Sequence, residues 1–157
     1  MSAAVPRWFL AAALLAIATR VTLEVWRTAH PPPEPPHPIA WQTLEGARAR
    51  SAVSGKPVFV EATADWCIPC RRLDLQTLRD PDFAAWISER FEPVRIEDSD
   101  ETAAPFRREH EIQAYPTLLV LAPGLDRPSV QVGYAGTSDV RIFLEGARLR
   151  AITAQRR

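Results

Sequence analysis

The chain has 157 residues, 46% of them hydrophobic, and its 19 basic and 19 acidic side chains cancel to zero net charge. That suits one self-supporting domain with an appendage, and the scattered basic residues, 18 Arg and a single Lys, form no positive stripe of the kind a nucleic-acid binder uses. Two cysteines, Cys67 and Cys70, leave no room for a framework of structural disulfides.

The first predicted element follows Arg7: the apolar run WFLAAALLAIAT, Trp8 to Thr19. Alone it spans about 18 Å, short of a hydrocarbon core of roughly 30 Å, and reads as a signal peptide with Ala16-Ile17-Ala18 as its cleavage site. Extended to Trp26 it reaches about 28 Å, with Trp8 and Trp26 at the two interfaces and Arg7 and Arg27 flanking them. In that reading Arg20 snorkels and pairs with Glu24 four residues on. Residues 9 to 18 have no polar face, which excludes an ordinary soluble helix. Residues 1–27 are therefore a signal peptide or a signal-anchor helix, and either one exports the remainder of the chain. HPPPEPPHP, with six prolines between His30 and Pro38, predicts an extended polyproline spacer over residues 28–38. A spacer has little use once its helix is cut away, so the expectation is an exported domain tethered to a membrane by an uncleaved anchor. The alternative is a soluble exported protein after cleavage.

Residues 39–157 alternate. WQTLEGARARSAVSG predicts a short helix ended by Gly55, and KPVFVEAT a buried strand over Val58 to Ala62. A helix is expected from Cys67 through RRLDLQTL, and the next starts with Asp80 as N-cap and Pro81 in the first turn. EPVRIED is a strand, ETAAPFRREHEI a helix with Pro105 in its first turn, and PTLLVLAPG and SVQVGYAG two strands joined as a hairpin. The last helix has Val140, Phe143, Leu144 and Ala147 on one face. This order predicts an α/β domain, a central mixed sheet with helices on both faces. EDSDE, Glu97 to Glu101, reads as a solvated loop and lacks the ligand alternation of a calcium site.

ADWCIPC carries the chemistry. Cys67 falls where a strand turns into a helix, and the unpaired amides there favour a thiolate. Cys70 lies one turn on, so an exposed Cys67 can attack a substrate disulfide while a partly buried Cys70 waits to resolve the product. Pro69 is tolerated because the first turn needs no amide donor. A zinc site would need partners from His30, His37 and His110, which lack ligand spacing. Arg71 and Arg72 read as solvated charges.

ADWCIPCRRLDLQTLRDPDF together with AYPTLLVL resembles the thioredoxin superfamily, most closely the C-terminal periplasmic domain of the transmembrane thiol–disulfide interchange protein DsbD. The likeness covers about Ser54 to Ala151; the Ile-Pro pair between the cysteines departs from DsbD and keeps the proline of thioredoxin. It implies a thioredoxin fold with a redox-active Cys67–Cys70 disulfide and Pro116 as a cis-proline facing it. Tyr115 would offer main-chain groups to an extended substrate, and Trp66 would shield Cys67 and touch the substrate or serve as a plain core aromatic. Glu61, six residues before Cys67, takes the place of the family's buried acid. Its position in a strand covered on both faces agrees, since burial raises a carboxyl pKa and lets it relay the Cys70 proton. The expected function is thiol–disulfide exchange with protein substrates, as a reductant, with no cofactor and a membrane electron donor. The competing expectations are a thioredoxin-fold Cu(I) metallochaperone using the two soft thiolates, or a redox-inactive interaction module.

Overall fold

The computed structural model describes residues 6–30 and 35–155. The Pro31–Glu34 part of the predicted spacer, the first five residues and the last two lie outside the described residues. The chain divides into two units, Met1–Pro36 and His37–Arg157.

The first unit holds α1 (Arg7–Ala29), 23 residues or roughly 34 Å of unbroken helix. Its stretch Trp8–Ala29 is long and apolar enough to cross a membrane, with mean hydropathy 1.6. The helix runs three residues past Trp26 and ends where the His30 N–H donates to the Trp26 carbonyl at 2.9 Å. The expected Arg20–Glu24 pair is corrected: Glu24 takes Arg27 instead, at 3.4 Å. A residue three along is as near as one four along. Arg27 also lies in the last turn, where a cation faces the free helix carbonyls.

In the second unit β1 (Val58–Thr63) is one of the two inner strands of a sheet ordered β2-β1-β3-β4. It runs parallel to β2 (Glu92–Glu97) and antiparallel to β3 (Thr117–Leu121), which pairs with β4 (Ser129–Val132). Strand side chains alternate between faces, and both faces are covered. Phe59, Leu118 and Val120 pack with Leu73, Phe83, Ile87, Val140 and Leu144 from α3 (Ile68–Leu73), α4 (Pro81–Arg90) and α6 (Thr137–Gln155). Val58, Val60, Ala62, Val94 and Leu119 pack on the other side with Ala47 of α2 (Leu44–Ser54) and Phe106 of α5 (Ala103–Glu109). The predicted caps are in place. Gly55 ends α2 at φ 72°, a left-handed conformation that favours glycine, and Asp80 accepts the Phe83 N–H at 2.8 Å.

One element departs from its expected form. The helix begun after Cys67 does not continue regularly but widens into a π turn over Asp74–Leu78. The Arg79 N–H donates to the Asp74 carbonyl five residues back, at 2.8 Å. The Arg79 side chain reaches the same residue, Nε to Asp74 Oδ2 at 2.8 Å. The wider turn lets Asp74 aim at groups on the sheet while Thr77 and Leu78 stay fully buried.

Candidate redox site

β1 ends at Thr63, and the turn after it delivers Cys67 to the N-cap of α3 in an extended conformation. Pro69 sits in the first turn, and the Cys70 N–H donates to Cys67 Sγ at 3.2 Å. The two sulfurs are bonded at 2.05 Å, with their Cα atoms 5.2 Å apart. Cys67 is not the exposed residue the sequence suggests: it is 4% exposed and Cys70 2%. The disulfide is closed within a small buried cluster with Ala64, against which Tyr115 packs. Exposure passes to the flanking Trp66, at 71%, and Ile68, at 79%.

Tyr115–Pro116 is a cis peptide bond, as the resemblance implies. The Pro116 carbonyl accepts the Gly133 N–H at 2.7 Å, which ties this loop to the end of β4. Trp66 leans edge-on against Tyr115, with ring centroids 5.9 Å apart. Its exposure rules out the plain core aromatic and leaves an apolar ring beside the disulfide. The Tyr115 hydroxyl donates to Asp98 Oδ1 at 2.6 Å, and Arg107 pairs with the same oxygen. Those bonds, the tyrosine's first, hold the Asp98 carboxyl below the usual range. EDSDE is thus not simply a solvated loop: Glu97 ends β2, and Asp98 braces the Tyr115 ring. Because β1 and β2 are parallel, the residues after each emerge at the same sheet edge. That is the edge where open α/β sheets place their sites, and it was the signal available for Asp98.

Glu61 is buried, 1% exposed, on the face of β1 it shares with Phe59. Directly opposite in the parallel register stands Arg95 of β2, whose Nε donates to Glu61 Oε2 at 2.7 Å. Arg95 Nη2 pairs with Asp74, and its guanidinium lies 4.5 Å from the Trp41 ring centroid. Glu61 Oε1 is buried without a hydrogen-bond partner among the described residues. Burial pushes the Glu61 carboxyl up to about 7; Arg95 pulls it down, and Asp74 and Glu97 push it up. Burial also acts to raise Asp74, but hydrogen bonds from Arg79 and Arg95 outweigh it and hold that carboxyl low. Two acids therefore share one arginine, and only Glu61 is poised to exchange a proton near neutrality. Sequence reasoning missed Arg95 and Asp74. The trace of the Glu61–Arg95 pair was the lone charge of the apolar strand VFVEAT and the one interior charge of EPVRIE, since buried strands tolerate such charges only as partners.

A Cys-x-x-Cys disulfide thus lies at the head of a helix, a cis-proline loop packs its tyrosine on it, and a buried carboxyl of raised pKa stands in the preceding strand. The chain belongs to the thioredoxin-like family, whose model matches residues 40–123, just over half of its length. It is 31% identical over 128 residues, 77% of this chain, to the thiol:disulfide interchange protein DsbD 1 of Pseudomonas aeruginosa. It spans about a fifth (21%) of that protein's length. Two solved structures share the fold. A thioredoxin from Thermus thermophilus superposes with a TM-score of 0.57 at 19% identity, covering 74% of this chain and 89% of that one. The oxidised C-terminal domain of DsbD from Neisseria meningitidis superposes with a TM-score of 0.54 at 19% identity, covering 68% and 97%.

Proposed function

We propose that the chain is an exported thiol–disulfide oxidoreductase that reduces protein disulfides through Cys67 and Cys70, held at the periplasmic face of the inner membrane by α1. The observation that carries this reading is the Cys67–Cys70 disulfide at the head of α3 with the Tyr115–Pro116 loop packed on it. In the reduced protein the Cys67 thiolate attacks a substrate disulfide; one sulfur–sulfur bond breaks and a mixed disulfide forms. Cys70 then attacks Cys67, its proton passes to the buried Glu61 carboxylate, and the substrate leaves as a dithiol carrying the two electrons. Trp66 and the Tyr115 main chain bind the substrate segment, with Pro116 setting the backbone direction. A membrane protein re-reduces the pair, as suits a relative of DsbD. No cofactor enters this scheme, since the cysteines carry the electrons.

The reductant direction draws on the proline of CIPC, and the tether on the length of α1 and on the prolines after it. Both are tested together by fractionating cells after acid quench and alkylating free thiols. The expected protein stays in the membrane pellet through carbonate washing, keeps its N-terminus, and carries Cys67 and Cys70 mainly as thiols. A soluble chain beginning at Thr19 would replace the anchor with a signal peptide. A cysteine pair found fully oxidised would reverse the direction of exchange.

A further inference from the structure

The proline pattern assigns His37 to the spacer, yet it is the first residue of the second unit and is only 12% exposed. Its ring lies 5.3 Å from that of Trp41. The Ile39 N–H donates to His37 Nδ1 at 3.1 Å, so Nδ1 carries a lone pair and the proton resides on Nε2. Nε2 in turn donates to Asp74 Oδ1 at 3.0 Å. Burial and the neighbouring Arg95 push the imidazole pKa down, which keeps the ring neutral at pH 7.

Asp74 Oδ1 therefore accepts from two donors, His37 Nε2 and Arg95 Nη2, while Oδ2 accepts from Arg79. Arg95's Nε is committed to Glu61. The bonds form a continuous chain from His37 through Asp74 and Arg95 to Glu61. We infer that His37 is a positioning residue of the redox site, whose Nε2–H satisfies part of the Asp74 carboxylate and so lets Arg95, bonded to Asp74 through Nη2, keep its Nε on Glu61. The inference rests on the proposed function, in which Glu61 carries the proton of Cys70. It places a control point of that proton where the chain passes from the prolines into the domain.

The charged groups around the two ends define the expected direction. Glu61 faces Arg95 and Glu97 from β2 and Asp74 from the π turn; His37 faces Asp74, Arg79 and Arg95. Without the histidine donor, Asp74 draws Arg95 more strongly, Glu61 loses part of its cation, and its carboxyl titrates higher. His37→Asn keeps an acceptor at the δ position for the Ile39 N–H but cannot reach Asp74. His37→Gln keeps a donor at the ε position for Asp74 but gives up the Ile39 bond.

Rapid mixing of the reduced full-length chain, in detergent micelles, with oxidised glutathione, then acid quench and mass spectrometry, tracks the Cys67–glutathione mixed disulfide as it forms and decays. The pH profile of the decay contains an inflection that disappears in Glu61→Gln. In His37→Asn that inflection moves up by about half a pH unit, and decay at pH 7 slows about twofold. In His37→Gln the inflection stays in place while Tm falls. An unmoved profile in the asparagine variant, no Glu61-dependent inflection, or parallel shifts in both variants would overturn the inference. A wild-type chain that never forms the mixed disulfide overturns the redox reading itself.

Discussion

Cys70→Ala will accumulate covalent complexes with its substrates, while Cys67→Ala will accumulate at least about tenfold fewer. The asymmetry arises at the head of α3. Cys67 is the N-cap, and its sulfur accepts the Cys70 amide at 3.2 Å, a bond that favours a thiolate once the disulfide opens. Cys70 lies inside the first turn of the helix and not at its N-cap, so the helix-terminus position that favours a thiolate belongs to Cys67; exposure does not separate the two, at 4% and 2% in the disulfide. Removing Cys70 leaves the attacking thiolate but takes away the group that releases the product, so the mixed disulfide persists. Non-reducing gels of acid-quenched cells, with mass spectrometry of the shifted bands, read this directly. In the reduced wild-type chain, iodoacetamide at neutral pH labels Cys67 first. Complexes trapped mainly by Cys67→Ala would assign the two sulfurs the opposite way.

The largest effect on stability is expected at Arg95. Replacing it by Met leaves Glu61 and Asp74 without their shared cation, and breaking a buried ion pair from one side costs about 3–5 kcal/mol. The loss depends on pH, and its sign is set by Glu61. The Glu61 carboxyl pKa is raised on folding from 4.5 to about 7. The stability this contributes is fully present below about 4.5 and is lost as pH rises through about 7, of order 3 kcal/mol in all. Arg95 opposes that loss by favouring the ionised form. Arg95→Met should therefore cost less at about pH 5, where Glu61 is protonated, than at pH 8, where the folded protein must hold an uncompensated carboxylate or bind a proton. Glu61→Gln should remove the pH dependence and be at least as stable as wild type at pH 8, and in the double variant part of the Arg95 loss should return. Urea denaturation of the four proteins at both pH values measures this. A cost for Arg95→Met that is the same at both would mean that its partner is Asp74 alone.

Much of the domain was readable because its signals are local. Gly55 closes a helix, Asp80-Pro81 opens one, and β-branched runs bounded by proline or glycine mark β1 and β3. Cys67 at a strand-to-helix turn needed no distant information either. The features that escaped each depend on residues far apart in the chain. Glu61 and Arg95, 34 positions apart, meet only through strand register. The π turn accompanies the reach of Asp74 to Arg95, 21 positions away. Burial of Cys67 within its local cluster is completed by Tyr115, on a loop before β3. Asp98, in an acidic run, and His37, among prolines, have local surroundings that read as solvent, and only the folded chain supplies the Tyr115 hydroxyl and the Asp74 carboxylate that engage them.

The central claim is that the Cys67–Cys70 disulfide opens and closes reversibly as a reductant's does. Equilibrating the full-length chain in micelles with graded mixtures of reduced and oxidised dithiothreitol or glutathione, then quenching and alkylating, measures its potential. The predicted result is a single reversible two-electron transition near the value of thioredoxin, about −270 mV. A disulfide that no thiol mixture opens reversibly, or a potential near the about −120 mV of the strong oxidant DsbA, would contradict it.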